Sequence, residues 1–281
     1  MKKILLLVLS LILFVLNLNA QTEGIYWEKD FNKAKKFARE SGRPLLLDFT
    51  APWCKPCLMM DKEFWVREDV IQAVKPFIAV KINYDDEKDL ASKYGANAIP
   101  FVVFTDPLGS MVTFRRGFGS KNVRELAQIF EEMPKDFSAL LPFYTAIEKN
   151  KNDGAALLQL ADSYRAAKMT RLSCDFYKRA VKTSEIQNDA EKKERVLATI
   201  GVNYYSIRDY ENAVDYLEDY VKTFPQGKTR ETVLLALILT NVRRDKLKDA
   251  DKFLGVLKTD FPNSTKIEAA AKEIETAKNK K

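Results

Sequence analysis

The segment Leu45-Leu46-Leu47-Asp48-Phe49-Thr50-Ala51-Pro52-Trp53-Cys54-Lys55-Pro56-Cys57-Leu58-Met59-Met60 holds an apolar run, two cysteines separated by two residues, and a second apolar run. The first run follows Gly42-Arg43-Pro44 and has the length of a buried strand, whereas Leu58-Met59-Met60 continues as helix. The cysteine pair is thereby predicted at a helix N-terminus. Unpaired backbone N–H groups and the helix dipole favour negative charge there, so Cys54 holds a thiolate more readily than a free cysteine does. Cys54 is expected to be a solvent-facing nucleophile and Cys57, one turn further in, its shielded resolving partner.

Two other uses of a Cys-x-x-Cys pair weigh against this reading: half of a zinc site, or an ordinary buried pair. Structural zinc takes four Cys or His ligands. The chain has only one further cysteine, Cys174, and no histidine, so no metal site is expected. Three cysteines are also too few for a disulfide framework. Cys174 lies between Leu172 and Phe176 in a helical pattern and reads as a small buried apolar residue.

At 281 residues the chain is long enough for two cores. Its start is different in kind: Met1-Lys2-Lys3 is basic, Ile4 to Leu18 is almost wholly apolar, and Leu18-Asn19-Ala20 is a small-residue exit. Residues 1–20 are read as a secretory signal peptide cut after Ala20, with an uncleaved anchor as the alternative. Either way the expected location is periplasmic or otherwise exported. The formal charge of +7 is spread thinly, since residues 21–132 carry 17 basic and 17 acidic groups and residues 133–281 carry 27 and 22. Beyond the short tail Lys278, Lys280, Lys281 there is no basic block, and nucleic acid is not an expected partner.

Periodicity places the remaining elements of the first half. Phe31, Ala34, Phe37 and Ala38 recur at helical spacing up to Ser41-Gly42-Arg43-Pro44. Helices are predicted from Arg67 to Val74, Glu87 to Tyr94 and Asn122 to Glu131. Strands are predicted at Phe77 to Asn83, Phe101 to Phe104 and Met111 to Arg115, the last two joined by a turn at Asp106-Pro107-Leu108-Gly109. With this βαβαββα order around its Cys-x-x-Cys motif, the first half resembles the thioredoxin superfamily. The resemblance extends to Asp48, Lys81, Tyr94-Gly95, Ile99-Pro100 and Gly117.

The resemblance implies an α/β thioredoxin fold, a central mixed sheet flanked by helices, over residues 21–132. It also implies roles. Asp48 and Lys81 lie behind the dithiol and assist proton movement at Cys57. Trp53, Ile99 and Pro100 meet the substrate, with the backbone around a cis Ile99-Pro100 bond pairing with an extended client segment. The residues alone favour the commoner trans bond. They also favour Lys81 as an edge-strand charge facing water. Lys55 and Pro56 tune the thiol pKa, and Lys55 adds a positive charge beside Cys54 where reducing thioredoxins carry Gly. Together with Pro52, Met59, Met60, Phe64 and Trp65, this dipeptide is closer to exported reductase and isomerase relatives.

Residues 133–281 carry helical patterns with almost no strand signal, and three units superpose. One holds Leu157, Leu160, Ala161, Tyr164 and Ala180. The next holds Leu197, Ile200, Gly201, Tyr204, Ala213, Leu217, Tyr220 and Pro225. The third holds Leu234, Leu237, Ile238, Ala250, Leu254, Leu257 and Pro262. The middle unit resembles a tetratricopeptide repeat, which implies an all-α stacked domain that binds a peptide or protein. The whole chain reads as a thiol–disulfide oxidoreductase, more a reductase or isomerase than an oxidase. It needs no cofactor beyond Cys54 and Cys57. Its expected partners are disulfide-bearing client proteins and a membrane thiol reductant as electron donor. The alternative is a repeat-based binding protein with a redox-sensing thioredoxin domain.

Overall fold

The computed structural model describes residues 24–279. The expected signal at 1–20 and the tail lysines Lys280 and Lys281 lie outside the described residues. The chain divides into two compact units, one running through Ser138 and the other beginning at Ala139.

The first unit is built on a four-stranded mixed sheet in the order β2-β1-β3-β4, from β1 (Leu45–Thr50), β2 (Ile78–Asn83), β3 (Phe101–Thr105) and β4 (Met111–Arg116). Strand β1 runs parallel to β2 and antiparallel to β3, and β4 pairs antiparallel with β3. The helices are α1 (Phe31–Ser41), α2 (Lys55–Glu63), α3 (Glu68–Val74), α4 (Lys88–Tyr94) and α5 (Ser120–Glu132). Asp30 starts α1 by accepting from the N–H groups of Asn32 and Lys33. Gly42 ends it at φ +69°, and a Cβ there would lie 2.7 Å from the backbone of Ser138. Phe137 donates its N–H to the Gly42 carbonyl at 2.7 Å, so the end of the unit is tied back beside its first helix.

Alternation along β1 sorts the core into two faces. Leu45, Leu47 and Phe49 join Ala34 and Ala38 of α1 and Ala91 and Tyr94 of α4 in one cluster. Leu46 and Asp48 therefore face the other way. On that opposite side Phe77, Phe104 and Phe130 form an edge-to-face trio with centroids 5.3–5.7 Å apart. The β3–β4 turn closes as the sequence suggests: Gly109 sits at φ +78°, and the Asp106 carboxylate accepts from the N–H groups of Leu108 and Ser110.

The second unit is all helical: α6 (Leu141–Lys149), α7 (Gly154–Ala166), α8 (Thr170–Ala180), α9 (Ser184–Gln187), α10 (Ala190–Ser206), α11 (Tyr210–Thr223), α12 (Arg230–Arg243), α13 (Leu247–Asp260) and α14 (Lys266–Lys278). Helices pack as successive pairs, α7 on α8, α10 on α11 and α12 on α13. A repeat is visible in the backbone as well as in the apolar positions. Lys168, Arg208 and Asp245 adopt φ of +60°, +61° and +60°, each two residues after the first helix of its pair. The third pair thus turns as the first two do.

Small residues set the approach of paired helices: Ala161, Ala180, Ala213 and Ala250 are fully buried. Gly201 is the closest case, since a Cβ there would lie 2.6 Å from Leu217 Cδ2 and 2.7 Å from its Cγ. Gly201→Ala should therefore cost the second unit about 1–3 kcal/mol through overpacking. All three tryptophans, Trp27, Trp53 and Trp65, belong to the first unit. The expected signature is thus a lowered far-ultraviolet circular dichroism midpoint with the tryptophan fluorescence transition unmoved. An unchanged helical midpoint would show that Leu217 yields freely.

Candidate active site

Cys54 caps the N-terminus of α2 in an extended conformation, Pro56 occupies the first turn, and Cys57 is the third helical residue. A proline in that position needs no helical hydrogen bond partner for a nitrogen that carries no proton. The two cysteines form a disulfide with S–S 2.05 Å and Cα–Cα 5.2 Å. The backbone N–H of Cys57 donates to Cys54 Sγ at 3.3 Å. This contact distinguishes the two sulfurs: on reduction, a donor already directed at Cys54 Sγ favours its thiolate.

Exposure does not distinguish them. Cys54 is 4% exposed and Cys57 2%, so the expected solvent-facing Cys54 is corrected: both are buried when joined. The cause is the packing around the bridge, where Ala51 and the half-buried Tyr84 and Ile99 close over both residues. What lies open is the rim. Trp53 is 63% exposed, Leu58 and Met59 next to Cys57 are also exposed, and Lys55 projects into solvent between the cysteines. The Trp53 indole N–H donates to Asp85 at 2.6 Å, and Asp85 in turn accepts from Lys88 at 3.0 Å. These bonds hold the Asp85 carboxyl below its ordinary range, the Trp53 contact contributing most. A fixed apolar plate therefore stands beside the disulfide.

Ile99-Pro100 is a cis peptide, and Ile99 packs on the dithiol. The Pro100 carbonyl accepts the N–H of Gly117 at 2.8 Å. Among the described residues the backbone of Ile99 makes no hydrogen bond, which leaves its N–H and C=O for an extended segment laid across the site.

Asp48 and Lys81 are directly opposite in the β1–β2 register, and the structure joins them: Lys81 Nζ lies 3.0 Å from Asp48 Oδ2. Asp48 is 2% exposed. Trp65 donates its indole N–H to the same oxygen at 3.1 Å, while Oδ1 is buried with no partner. Burial dominates and pushes the carboxyl pKa up, with the Asp61 charge adding to the rise and Lys81 and Trp65 opposing it. Lys81 also pairs with Asp61 and stands over the Trp27 ring at 4.5 Å. Asp61, Trp65, Trp27, Tyr84 and Asp85 were not singled out from sequence as site residues. The spacing of Asp61, four after Cys57 on a helix, was the one local signal for any of them.

Cys174 is fully buried, and burial pushes its thiol up to about 12, so it takes no part in exchange at neutral pH.

A family model described as "Thioredoxin-like" matches residues 26–107, and one described as "Tetratricopeptide repeat" matches 155–183 and 199–227. Thioredoxin 1 of Synechococcus elongatus is 38% identical over 74 residues, 26% of this chain and 66% of that protein. Thioredoxin Y2, chloroplastic, of Arabidopsis thaliana is 36% identical over 81 residues, 28% of this chain and 47% of that protein. The chain thus spans less than two thirds of the length of these two relatives. The thioredoxin of Mycoplasmoides gallisepticum is 34% identical over 82 residues, 29% of this chain and 78% of that protein. Among solved structures, oxidized mitochondrial thioredoxin 3 from Saccharomyces cerevisiae is 24% identical with a TM-score of 0.32, covering 39% of this chain and 95% of that one. Through its first unit, the chain belongs to the thioredoxin superfamily, and its second unit carries tetratricopeptide repeats.

Proposed function

We propose that the protein is an exported thiol–disulfide oxidoreductase that reduces or rearranges disulfides in client proteins. The observation that carries this reading is the Cys54–Cys57 disulfide at the start of α2, with the Cys57 N–H directed at Cys54 Sγ. In the reduced protein the Cys54 thiolate attacks one sulfur of a client disulfide. A mixed disulfide forms, and the other client sulfur leaves as a thiolate that takes a proton from solvent. Cys57 then gives its proton to Asp48, and the resulting thiolate attacks Cys54 Sγ. The client's second sulfur departs, and the Cys54–Cys57 bond closes. Two electrons pass from the dithiol to the client, and the two sulfurs carry them without a further cofactor. A thiol reductant at the membrane restores the dithiol.

Other features support the supporting roles. Trp53, Leu58 and Met59 offer an apolar rim to a client, and Ile99 offers its free backbone groups. Lys55 stabilises the Cys54 thiolate by charge. The repeat unit binds a peptide or protein and so selects or retains clients. Export rests on the basic, apolar and small-residue order of residues 1–20.

Insulin reduction by the full chain with dithiothreitol as electron source tests the activity. Catalysed turnover is the expected result. A folded protein with no turnover would instead make the first unit a redox-sensitive module on a binding protein. The direction follows from the standard potential of Cys54–Cys57: a value near about −270 mV fits a reductase, whereas one near about −120 mV would assign an oxidant.

A further inference from the structure

The Asp48–Lys81 pair does not stand alone. On its outward side the Lys81 ammonium also contacts Asp61 of α2, so one cation serves two carboxylates. The two differ in surroundings. Asp48 is sealed among β1, β2 and Trp65, with one oxygen unpartnered, whereas the Asp61 side chain is 36% exposed. Trp27, 4.5 Å below the ammonium, limits where it can move.

Asp61 and Lys81 line two surface hollows of about 600 and 540 Å³, one bordered by Leu58 and Asn83 and the other by Trp65 and Val66. Solvent thus meets the pair from both sides but does not reach Asp48. The charged groups that face this cluster are Lys81 from β2, Asp61 from α2, and Lys29, Asp86 and Glu87 at the rim of the first hollow.

We propose that Asp61 is a positioning residue for the dithiol reaction: by holding the outward side of the Lys81 ammonium it keeps the buried Asp48 carboxylate able to accept a proton. The inference rests on the reading above, in which Asp48 takes the Cys57 proton. A lysine given wholly to Asp48 would fix that carboxylate as an anion with little affinity for a proton. A lysine shared with a second carboxylate neutralises it less, and the second negative charge itself raises the cost of ionising Asp48. Asp61 lies one helical turn beyond Cys57 on α2, so the group that sets the base and the thiol that uses it are carried by the same helix.

The test uses the full chain with carbon-13-labelled aspartate, reduced with dithiothreitol. The Asp48 carboxyl resonance is assigned by its loss in Asp48→Asn and followed through a pH titration. In parallel, the resolution rate of a preformed mixed disulfide on Cys54 is measured against pH. Asp61→Asn should lower the Asp48 midpoint by about one pH unit and move the acid limb of the rate profile down with it. Asp61→Glu, which returns a carboxylate to the same ammonium, should restore both.

An unmoved or raised midpoint in Asp61→Asn overturns the inference, as does a shift that Asp61→Glu fails to reverse. A loss of thermal stability without a change in the titration would show a merely structural role and overturns it too. The underlying reading fails separately: if Asp48→Asn leaves the acid limb in place, Asp48 is not the proton acceptor, whatever Asp61 does.

Discussion

Cys57→Ser should turn the protein into a trap that accumulates client proteins as stable mixed disulfides on Cys54, while Cys54→Ser should accumulate almost none. Both variants should reduce insulin only at the background rate, because each lacks one of the two sulfurs that carry the electrons. Turnover alone therefore cannot tell the cysteines apart; the adduct can. The expected asymmetry does not come from exposure, since both residues are buried in the oxidised state. It comes from the helix terminus. Cys54 is the N-cap, its sulfur accepts the Cys57 N–H at 3.3 Å, and its thiolate sits at the positive end of the α2 dipole. Cys57 lies one turn along, inside α2. Non-reducing electrophoresis of the full chain recovered from expressing cells, with adducts released by dithiothreitol, reads the result. If Cys57→Ser captures nothing while Cys54→Ser does, the nucleophile is Cys57 and the capping geometry does not control reactivity.

Within that trap, Lys55→Ala should slow alkylation of Cys54 at neutral pH by raising its thiol pKa. Lys55 is exposed, so its charge acts through solvent and its effect should shrink as salt is added. The backbone contribution from Cys57 is fixed in place and should not. Comparing the variant at low and high ionic strength separates the two sources of thiolate stabilisation.

Much of this site was legible because its signals are local. Gly42 and Pro44 punctuate the chain, the apolar run between them and Pro52 has strand length, and β1 spans Leu45–Thr50 as read. The helix after the dithiol, the Asp106–Gly109 turn and the repeat faces follow from periods of a few residues. What periodicity does not carry is contact between elements. Asp48 and Lys81 are 33 positions apart, and their meeting was implied by family resemblance, since the residues alone favoured a lysine facing water. Trp65 bonding to Asp48, and Asp61 competing for Lys81, depend on how α2 lies on the sheet, which no single stretch specifies. Cys54 was expected outside for the same reason: the covering residues Tyr84 and Ile99 come from loops far along the chain. In the second unit the left-handed turns at Lys168, Arg208 and Asp245 carry no local signal in the sequence, because none of them is glycine.

Asp48→Asn should make the oxidised protein more stable at neutral pH, by an amount that vanishes on acidification. In that state Cys54 and Cys57 are joined and do not titrate, so Asp48 can be observed apart from the dithiol. Folding raises its pKa, chiefly by burial. Well below the ordinary value of 3.8 the carboxyl is protonated in both folded and unfolded chains and contributes no pH dependence. As pH rises from there towards the folded pKa, the unfolded chain gives up its proton first. The folded state then binds more protons than the unfolded one, and stability falls until the folded group has ionised too. A tenfold gain in proton affinity on folding costs about 1.4 kcal/mol of stability once both states are ionised. Asparagine keeps the volume and an oxygen to accept the Trp65 N–H, and it leaves Lys81 paired with Asp61.

Tryptophan fluorescence follows the first unit alone, so thermal midpoints of wild type and Asp48→Asn can be compared in the full chain from pH 4 to 8. The variant's advantage should grow with pH until the folded group has ionised, at about 4–8 °C for each kcal/mol in a unit of this size. Glu28, held down to about 2 by Lys33 and by the N–H groups of Lys29 and Asp30, titrates with the opposite sign, but it is common to both proteins and cancels in the difference. Curves that stay parallel would mean that Asp48 ionises like a surface carboxylate. It would then lack the proton affinity that the Cys57 step requires, because the stability lost by burying this group and its capacity to take a thiol proton have the same physical origin.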